Sequence, residues 1–299
     1  MKAVLYRRTG GPEVLEWDDV ETPRAGPGEV RVRVRAAGVQ PIDCAVRSGF
    51  TPVWLTPVLP GIPGNEFAGV VDQPADGFEV GDEVLGFGFT RAAAEYVVVP
   101  ATQLTAKPAA MPWEVAGGFS GAAQTAHIAH ELLRPAAGET MLVHGAAGAV
   151  GGVAVQLARG SQARVVGTAS AANQEYLRSL GVEPVVYGPG LADRLRALLP
   201  DGADLVLDGA GGEALDVSLD LCADRSRILT LVDHGRAADL GIRTTQNLRS
   251  AARLAELAAR YAAGELRFPI RRTYPMPDAA AAHREVETGH GRGKVVLVA

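Results

Sequence analysis

The chain has 299 residues, 47% of them hydrophobic and 21% charged, with a formal net charge of −5. That balance is ordinary for a globular protein and too acidic for an electrostatic nucleic-acid footprint, and the length favours two domains over one core. Two cysteines, Cys44 and Cys222, leave no disulfide framework, and every apolar run is too short to span a bilayer, so a cytoplasmic protein without nucleic-acid or membrane partners is expected.

In chain order, MKAVLYRRTG enters a strand pattern with no apolar leader behind it. Residues 1 to about 110 read as short strands between turns. RVRVR at 31–35 alternates Arg with Val, which predicts a strand with one wet face. PGIPGNEFAGVV at 60–71, GDEVLGFG at 81–88 and AEYVVVP at 94–100 repeat the turn-then-strand theme, which predicts a folded β domain. The rhythm changes near residue 111. WEVAGGFSGAAQTAHIAHELL is helical in composition; its His127 and His130 share a face but lack a third ligand. Strand-like runs then begin at 141, 163, 184, 204 and 227, with helix-like GGVAVQLARG, ANQEYLRSLG, LADRLRALLP and GEALDVSLDLC between them. This alternation predicts βαβ units around a parallel sheet. The helical NLRSAARLAELAARYAAGEL closes that region, and residues 268–299 return to turn, helix and a last strand, KVVLVA.

The first βα junction of the alternating region carries AAGAVG: Ala146, Ala147, Gly148, Ala149, Val150 and Gly151. Small residues there let the backbone approach an anion, and the following helix start offers unpaired N–H groups. This is the dinucleotide fingerprint with Ala146 in place of its first glycine; a tight turn that binds nothing is the plain alternative. The acid that marks NAD sites at the end of the second strand is missing. Ser170 and Asn173 stand there, and the first acid, Glu175, already lies in a helix, with Arg178 one turn on. NADPH is therefore the expected cofactor. Ser170 and Asn173 serve as phosphate donors, as helix caps, or as both.

Several stretches in the same order resemble the zinc-independent quinone oxidoreductases of the medium-chain dehydrogenase/reductase superfamily. They are VRVRAAGVQPIDCAVRSG (32–49), PGNEFAGVV (63–71), VGDEVLGF (80–87), VHGAAGAVGGVAVQLA (143–158), DLVLDGAGGEAL (204–215) and GRGKVVLV (291–298). The resemblance implies an α/β protein: a GroES-like β-rich catalytic domain over 1–112 and 268–299, and a Rossmann domain with a doubly wound parallel sheet, binding NADP, over 113–267. Zinc relatives carry Cys after AAGV and His in a G-H-E motif. Gln40 and Asn65 stand at those places and the four-Cys lobe is missing, so no metal is expected to polarise the substrate.

The resemblance also distributes roles. It places Gln40 and Pro41 at the nicotinamide end, with Gln40 as donor to the charge that develops on the acceptor's oxygen. It places Thr125 at the nicotinamide amide and Ala147 to Val150 at the pyrophosphate. Ser170, Asn173 or Gln174 would face the adenosine phosphate, without the lysine that relatives often have there, and Tyr187 would lie beside it. Asp208, Gly209, Leu231 and Val232 would follow later strands at the cofactor edge, and Lys294 would approach the nicotinamide half. The plain alternatives are a rim aromatic for Tyr187, a solvated strand charge for Lys294, and structural hydrogen-bond roles for Asp43 and Glu66. Phe50 and Trp54 either offer apolar surface at the pocket mouth or pack in the β domain. No tyrosine occupies the proton donor's usual stretch, so water is expected to serve. The implied reaction is hydride transfer from NADPH to a small-molecule quinone or conjugated carbonyl. Reduction of an enone or enoyl C=C bond, or an NADPH-binding sensor or scaffold with little turnover, are the other readings. A homodimer through the edge of the nucleotide sheet, with RTTQ at 243–246 supplying the edge, is the implied assembly.

Overall fold

The computed structural model describes residues 1–52, 58–75 and 77–299. The chain gathers into two units: residues 1–121 with 250–290 and 294–299, and residues 122–249 with 291–293.

The first unit opens on an antiparallel pair, β1 (Lys2–Tyr6) and β2 (Leu15–Asp19). In β3 (Glu29–Val39) the Arg/Val alternation acts as expected: Val30, Val32 and Val34 are buried, while Arg33 and Arg35 face solvent. A short helix follows, α1 (Pro41–Ser48). Its start is fixed by Pro41 at the first position and by Asp43 Oδ2, which accepts the Gln40 N–H at 2.8 Å. Gly49 ends it with φ 116°, a left-handed backbone that favours glycine. The strands β4 (Glu66–Gln73), β5 (Glu83–Phe87), β6 (Tyr96–Pro100) and β7 (Leu104–Ala106) come next; β3 pairs antiparallel with β4 and β6, and β4–β5–β7 continue the sheet. The chain then enters α2 (Trp113–Leu133), which begins in this unit.

The second unit alternates strand and helix: β8 (Thr140–His144), α3 (Ala149–Gly160), β9 (Arg164–Ala169), α4 (Gln174–Ser179), β10 (Glu183–Val186), α5 (Leu191–Leu198), β11 (Leu205–Asp208), α6 (Glu213–Leu221), β12 (Ile228–Thr230), α7 (His234–Leu240) and β13 (Arg243–Thr244). All six strands are parallel, in the order β10-β9-β8-β11-β12-β13. Leu142, Val166, Val206 and Ile228 come from adjacent strands and pack with Leu215 of α6 and Leu195 of α5. Covered sheets of this kind favour such uninterrupted apolar runs. The winding starts at β8 and reverses beside it, and in sheets of this kind the crevice at such a reversal, here the C-terminal ends of β8, β9 and β11, is where ligands bind.

The chain returns to the first unit through α8 (Ala251–Ala262), β14 (Ile270–Pro275), α9 (Ala279–Glu287) and β15 (Lys294–Val298). Ser250 caps α8 by accepting the Arg253 N–H at 3.2 Å. β15 lies antiparallel to β3 and parallel to β14, completing a seven-stranded sheet. The sequence places the domain divisions near 112 and 267, whereas the contacts place them at 121 and 249. The reason is aromatic packing: Phe119 meets Tyr261 and Phe268 edge-on, at 5.9 and 5.1 Å between ring centres, and draws the start of α2 and all of α8 into the first unit.

Candidate functional site

In the second unit the AAGAVG segment forms a tight turn between β8 and α3. Gly145 takes a left-handed φ of 71°, Ala146 N–H donates to Thr168 O at 3.0 Å, and Gly148 N–H turns back to Gly145 O at 3.0 Å. A Cβ on Gly151 would collide with the Gly145 carbonyl, so glycine there is what lets α3 start this close to the turn. Gly148 sits at the cap position with no side chain bonding the helix start. The N–H groups of Ala149, Val150 and Gly151 therefore lack acceptors within α3 and point out of its positive end. An anionic diphosphate fits this cradle: bare amides, partial positive charge and no side chain in the way.

The neighbouring strand ends are braced by buried polar groups. Asp208 Oδ1 accepts the N–H groups of Ala210 (2.9 Å) and Gly211 (2.8 Å), and Thr230 Oγ1 donates to its Oδ2 at 2.7 Å. Gly209 N–H donates to His144 O at 3.2 Å, and Leu231 N–H to Asp208 O at 2.8 Å. These bonds lock the turns after β8, β11 and β12 together, with Val232 exposed beyond them. His144 lies between Thr168 Oγ1 (3.0 Å) and Ser218 Oγ (2.9 Å), and burial holds its ring well below the usual range, at about 4. It is a neutral brace.

After β9, Asn173 Nδ2 donates to Ser170 Oγ at 3.1 Å, and Gln174 Nε2 donates to the carbonyls of Ala169 and Ser170. Neither Ser170 nor Asn173 caps a helix with its side chain. Tyr187 is exposed just past β10, its N–H on Ala169 O at 3.3 Å, and Thr125 is half-buried on α2.

The first unit holds a second polar constellation. Gln40 Nε2 donates to Asn65 Oδ1 at 2.9 Å and to Glu66 Oε1 at 2.8 Å. Glu66 is fully buried; its Oε1 also meets Lys294 Nζ at 2.5 Å, and its Oε2 accepts the Gly121 N–H at 2.5 Å. Lys294 is thus a buried ion-pair partner and not a solvated strand charge. A Cβ on Gly121 would strike the Gln40 amide, so glycine there admits the cluster. The structural alternative for Asp43 and Glu66 describes them well: Asp43 accepts the Gln40 N–H, and among the described residues the carboxylate of Glu66 bonds to Gln40, Gly121 and Lys294 of this cluster. Asp43 is buried beneath Gln40, and that burial raises its carboxyl to about 7 against the pull of the Gln40 N–H and Lys294. Tyr6, Asp43 and Asn65 line a small recess together with Phe89. Tyr6, on β1, belongs to no motif in the sequence, and only the fold brings it to this recess. The Glu66–Lys294 pairing belongs to no motif either; its one signal is a carboxylate inside the apolar run NEFAGVV, which demands a partner. Pro41 begins α1 beside the cluster, Phe50 is exposed, and Trp54 lies outside the described residues. Among the described residues no group of three or more His, Cys, Asp or Glu side chains is arranged to hold a metal ion, and both cysteines are free and buried.

Comparison with known proteins agrees with this architecture. The profile of the alcohol dehydrogenase GroES-like domain matches residues 26–109, and a profile described as zinc-binding dehydrogenase matches residues 180–297. The chain is 31% identical to a quinone oxidoreductase of Pseudomonas aeruginosa over 99% of both proteins. It is 28% identical to a 2-haloacrylate reductase of Burkholderia, covering 100% of this chain and 98% of that protein. A mycobacterial protein solved in complex with NADPH superposes over the full length of both chains with a TM-score of 0.85 at 29% identity.

Proposed function

Because the chain belongs to the quinone oxidoreductase-like branch of the medium-chain dehydrogenase/reductase superfamily, we propose that it reduces a quinone or another conjugated carbonyl compound with NADPH as the electron source. The observation that carries this reading is the uncapped, glycine-lined start of α3 at the winding reversal of a parallel sheet. When bound, the dihydronicotinamide of NADPH supplies a hydride. The chain's own contribution is to hold the diphosphate on the amides of Ala149 to Gly151, to brace the strand ends through Asp208 and His144, and to present a donor to the acceptor.

Gln40 is that donor in this reading. Both hydrogens of its amide go to Asn65 and Glu66, so it engages an acceptor's oxygen by exchanging one of those bonds, which ties its action to the Glu66–Lys294 pair. The recess lined by Tyr6, Asp43 and Asn65 is the acceptor-side surface of the first unit, and water supplies the proton. The likeness to a 2-haloacrylate reductase favours reduction of an activated C=C bond as the second reading. β13 and β10 are the two edge strands of the six-stranded sheet, and we assign the β13 edge to pairing with a second copy in a homodimer. A cytoplasmic setting goes with two unpaired thiols.

The test is calorimetric titration with NADPH and NADH, then a panel of quinones, alkenals, haloacrylates and enoyl thioesters with NADPH oxidation followed by absorbance. Tight NADPH binding with turnover of quinones is expected, and the Gln40→Ala variant should keep the binding and lose most turnover. Preference for the alkenes selects the second reading. Binding without turnover of any acceptor selects a sensor, and no binding of either nucleotide refutes the proposal. Light scattering on the same preparation reports the dimer.

A further inference from the structure

Resting on the reading of the glycine turn as a seat for NADPH, we infer that Arg292 is the cation that recognises the cofactor's 2′-phosphate and sets the preference for NADPH over NADH. The stretch after β9, where that phosphate would lie, contains no available cation. Ser170, Ala171, Ala172, Asn173 and Gln174 are neutral, and Arg178 is ion-paired to Glu175 at 3.2 Å. The amide hydrogens there are also partly committed, with Asn173 on Ser170 and Gln174 on two carbonyls. Uncharged donors with other partners are a poor match for a dianion.

The charge arrives from the far end of the sequence. Residues 291–293 belong to the nucleotide-binding unit. Gly293 N–H donates to Ala147 O at 3.0 Å and forms a parallel bridge with Gly148, which fastens the segment to the glycine turn. Gly291 and Gly293 have φ of 124° and 79°, values that favour glycine, so the backbone turns sharply on both sides of Arg292. Its guanidinium carbon lies 5.0 Å from the ring centre of Tyr176. Tyr176 is two residues past Gln174, and its hydroxyl would lie 3.4 Å from a Cβ on Gly152 in the first turn of α3. Arg292 therefore reaches from the diphosphate cradle toward the residues after β9.

Several arginines of this unit are bound to carboxylates, Arg164 to Glu183, Arg227 to Glu139 and Arg236 to Asp216, and Arg194 is held by three backbone carbonyls. Arg292 is exposed, and among the described residues its side chain engages the Tyr176 ring alone. An arginine held over an aromatic ring by a cation–π contact still has N–H groups to offer, and its fork matches two phosphate oxygens.

The test is calorimetry on the full chain and its Arg292→Ala variant, with NADPH, NADH and adenosine 2′,5′-bisphosphate as ligands. Both proteins are checked for equal melting temperature. The variant should bind NADPH and the bisphosphate about tenfold or more weakly, with NADH within about twofold of wild type. Arg292→Lys should fall between, since it keeps the charge and loses the fork. Equal weakening of NADPH and NADH would place Arg292 on the shared diphosphate and overturn the assignment, as would unchanged affinities. If wild type binds neither dinucleotide, the proposed function itself fails; loss confined to the variant leaves that function intact.

Discussion

Lys294 and Glu66 form an ion pair inside the first unit, where both are shielded from water. Such a pair adds little net stability, but removing one member strands the other charge. Lys294→Met is therefore expected to cost about 3–5 kcal/mol in urea denaturation, and adding Glu66→Gln to the same chain should recover much of the loss. A conservative change at either residue would also loosen the Gln40 amide, which shares Glu66 Oε1 with the lysine. At this scale the sequence is legible where chemistry is local. The turn at Ala146 to Gly151 could be read because its shape follows from small residues spaced between a strand and a helix. The partner of Lys294 could not, because only the antiparallel pairing of β15 with β3 carries that lysine back toward β4.

The junction of β8, turn and α3 is the element on which the proposed nucleotide binding rests. Gly151→Ala would press a methyl group into the Gly145 carbonyl, and backbone atoms have little room to retreat. The expected loss is about 1–3 kcal/mol, read as a lowered melting temperature. If NADPH binds there as proposed, the variant should also lose most of the stabilisation that NADPH would give the wild-type chain, because the amides of α3 would be displaced. Among the elements, β3 and α2 were readable from alternation and composition over long windows. RILTLV reads as a longer strand than it makes: β12 stops at Thr230, whose hydroxyl turns to Asp208, leaving Leu231 and Val232 in the following turn. α1 is too short for a clear period, yet Pro41, Asp43 and Gly49 spell out its start and stop. α7 spans seven residues, too few for a clear apolar period.

For the molecule as a whole, buried titratable groups set opposing pH limits. His144, held near 4, and His283, held near 3 by burial and by Arg47, stay neutral in the fold but take up protons when unfolded below about 6.5. Their contribution is complete above that pH and is lost as pH falls toward those values. Asp43 acts in the other direction. Its carboxyl is raised from 3.8 to about 7, so the fold retains a proton that the unfolded chain releases, and its contribution declines as pH rises from about 4 through 7. Asp43→Asn should remove that decline; the difference between wild-type and variant unfolding free energies, plotted against pH, checks it. The two-part architecture and its classes were legible in the change from turn-rich strands to βα alternation, while the division points depended on which aromatic rings meet, and no periodicity encodes that. The bond from Gly293 N–H to Ala147 O has a temporal side. Synthesis delivers the turn at 145–151 well before Gly293, so until that later residue has emerged the turn lacks this fastening, and the proposed coenzyme seat waits on a distant part of the chain.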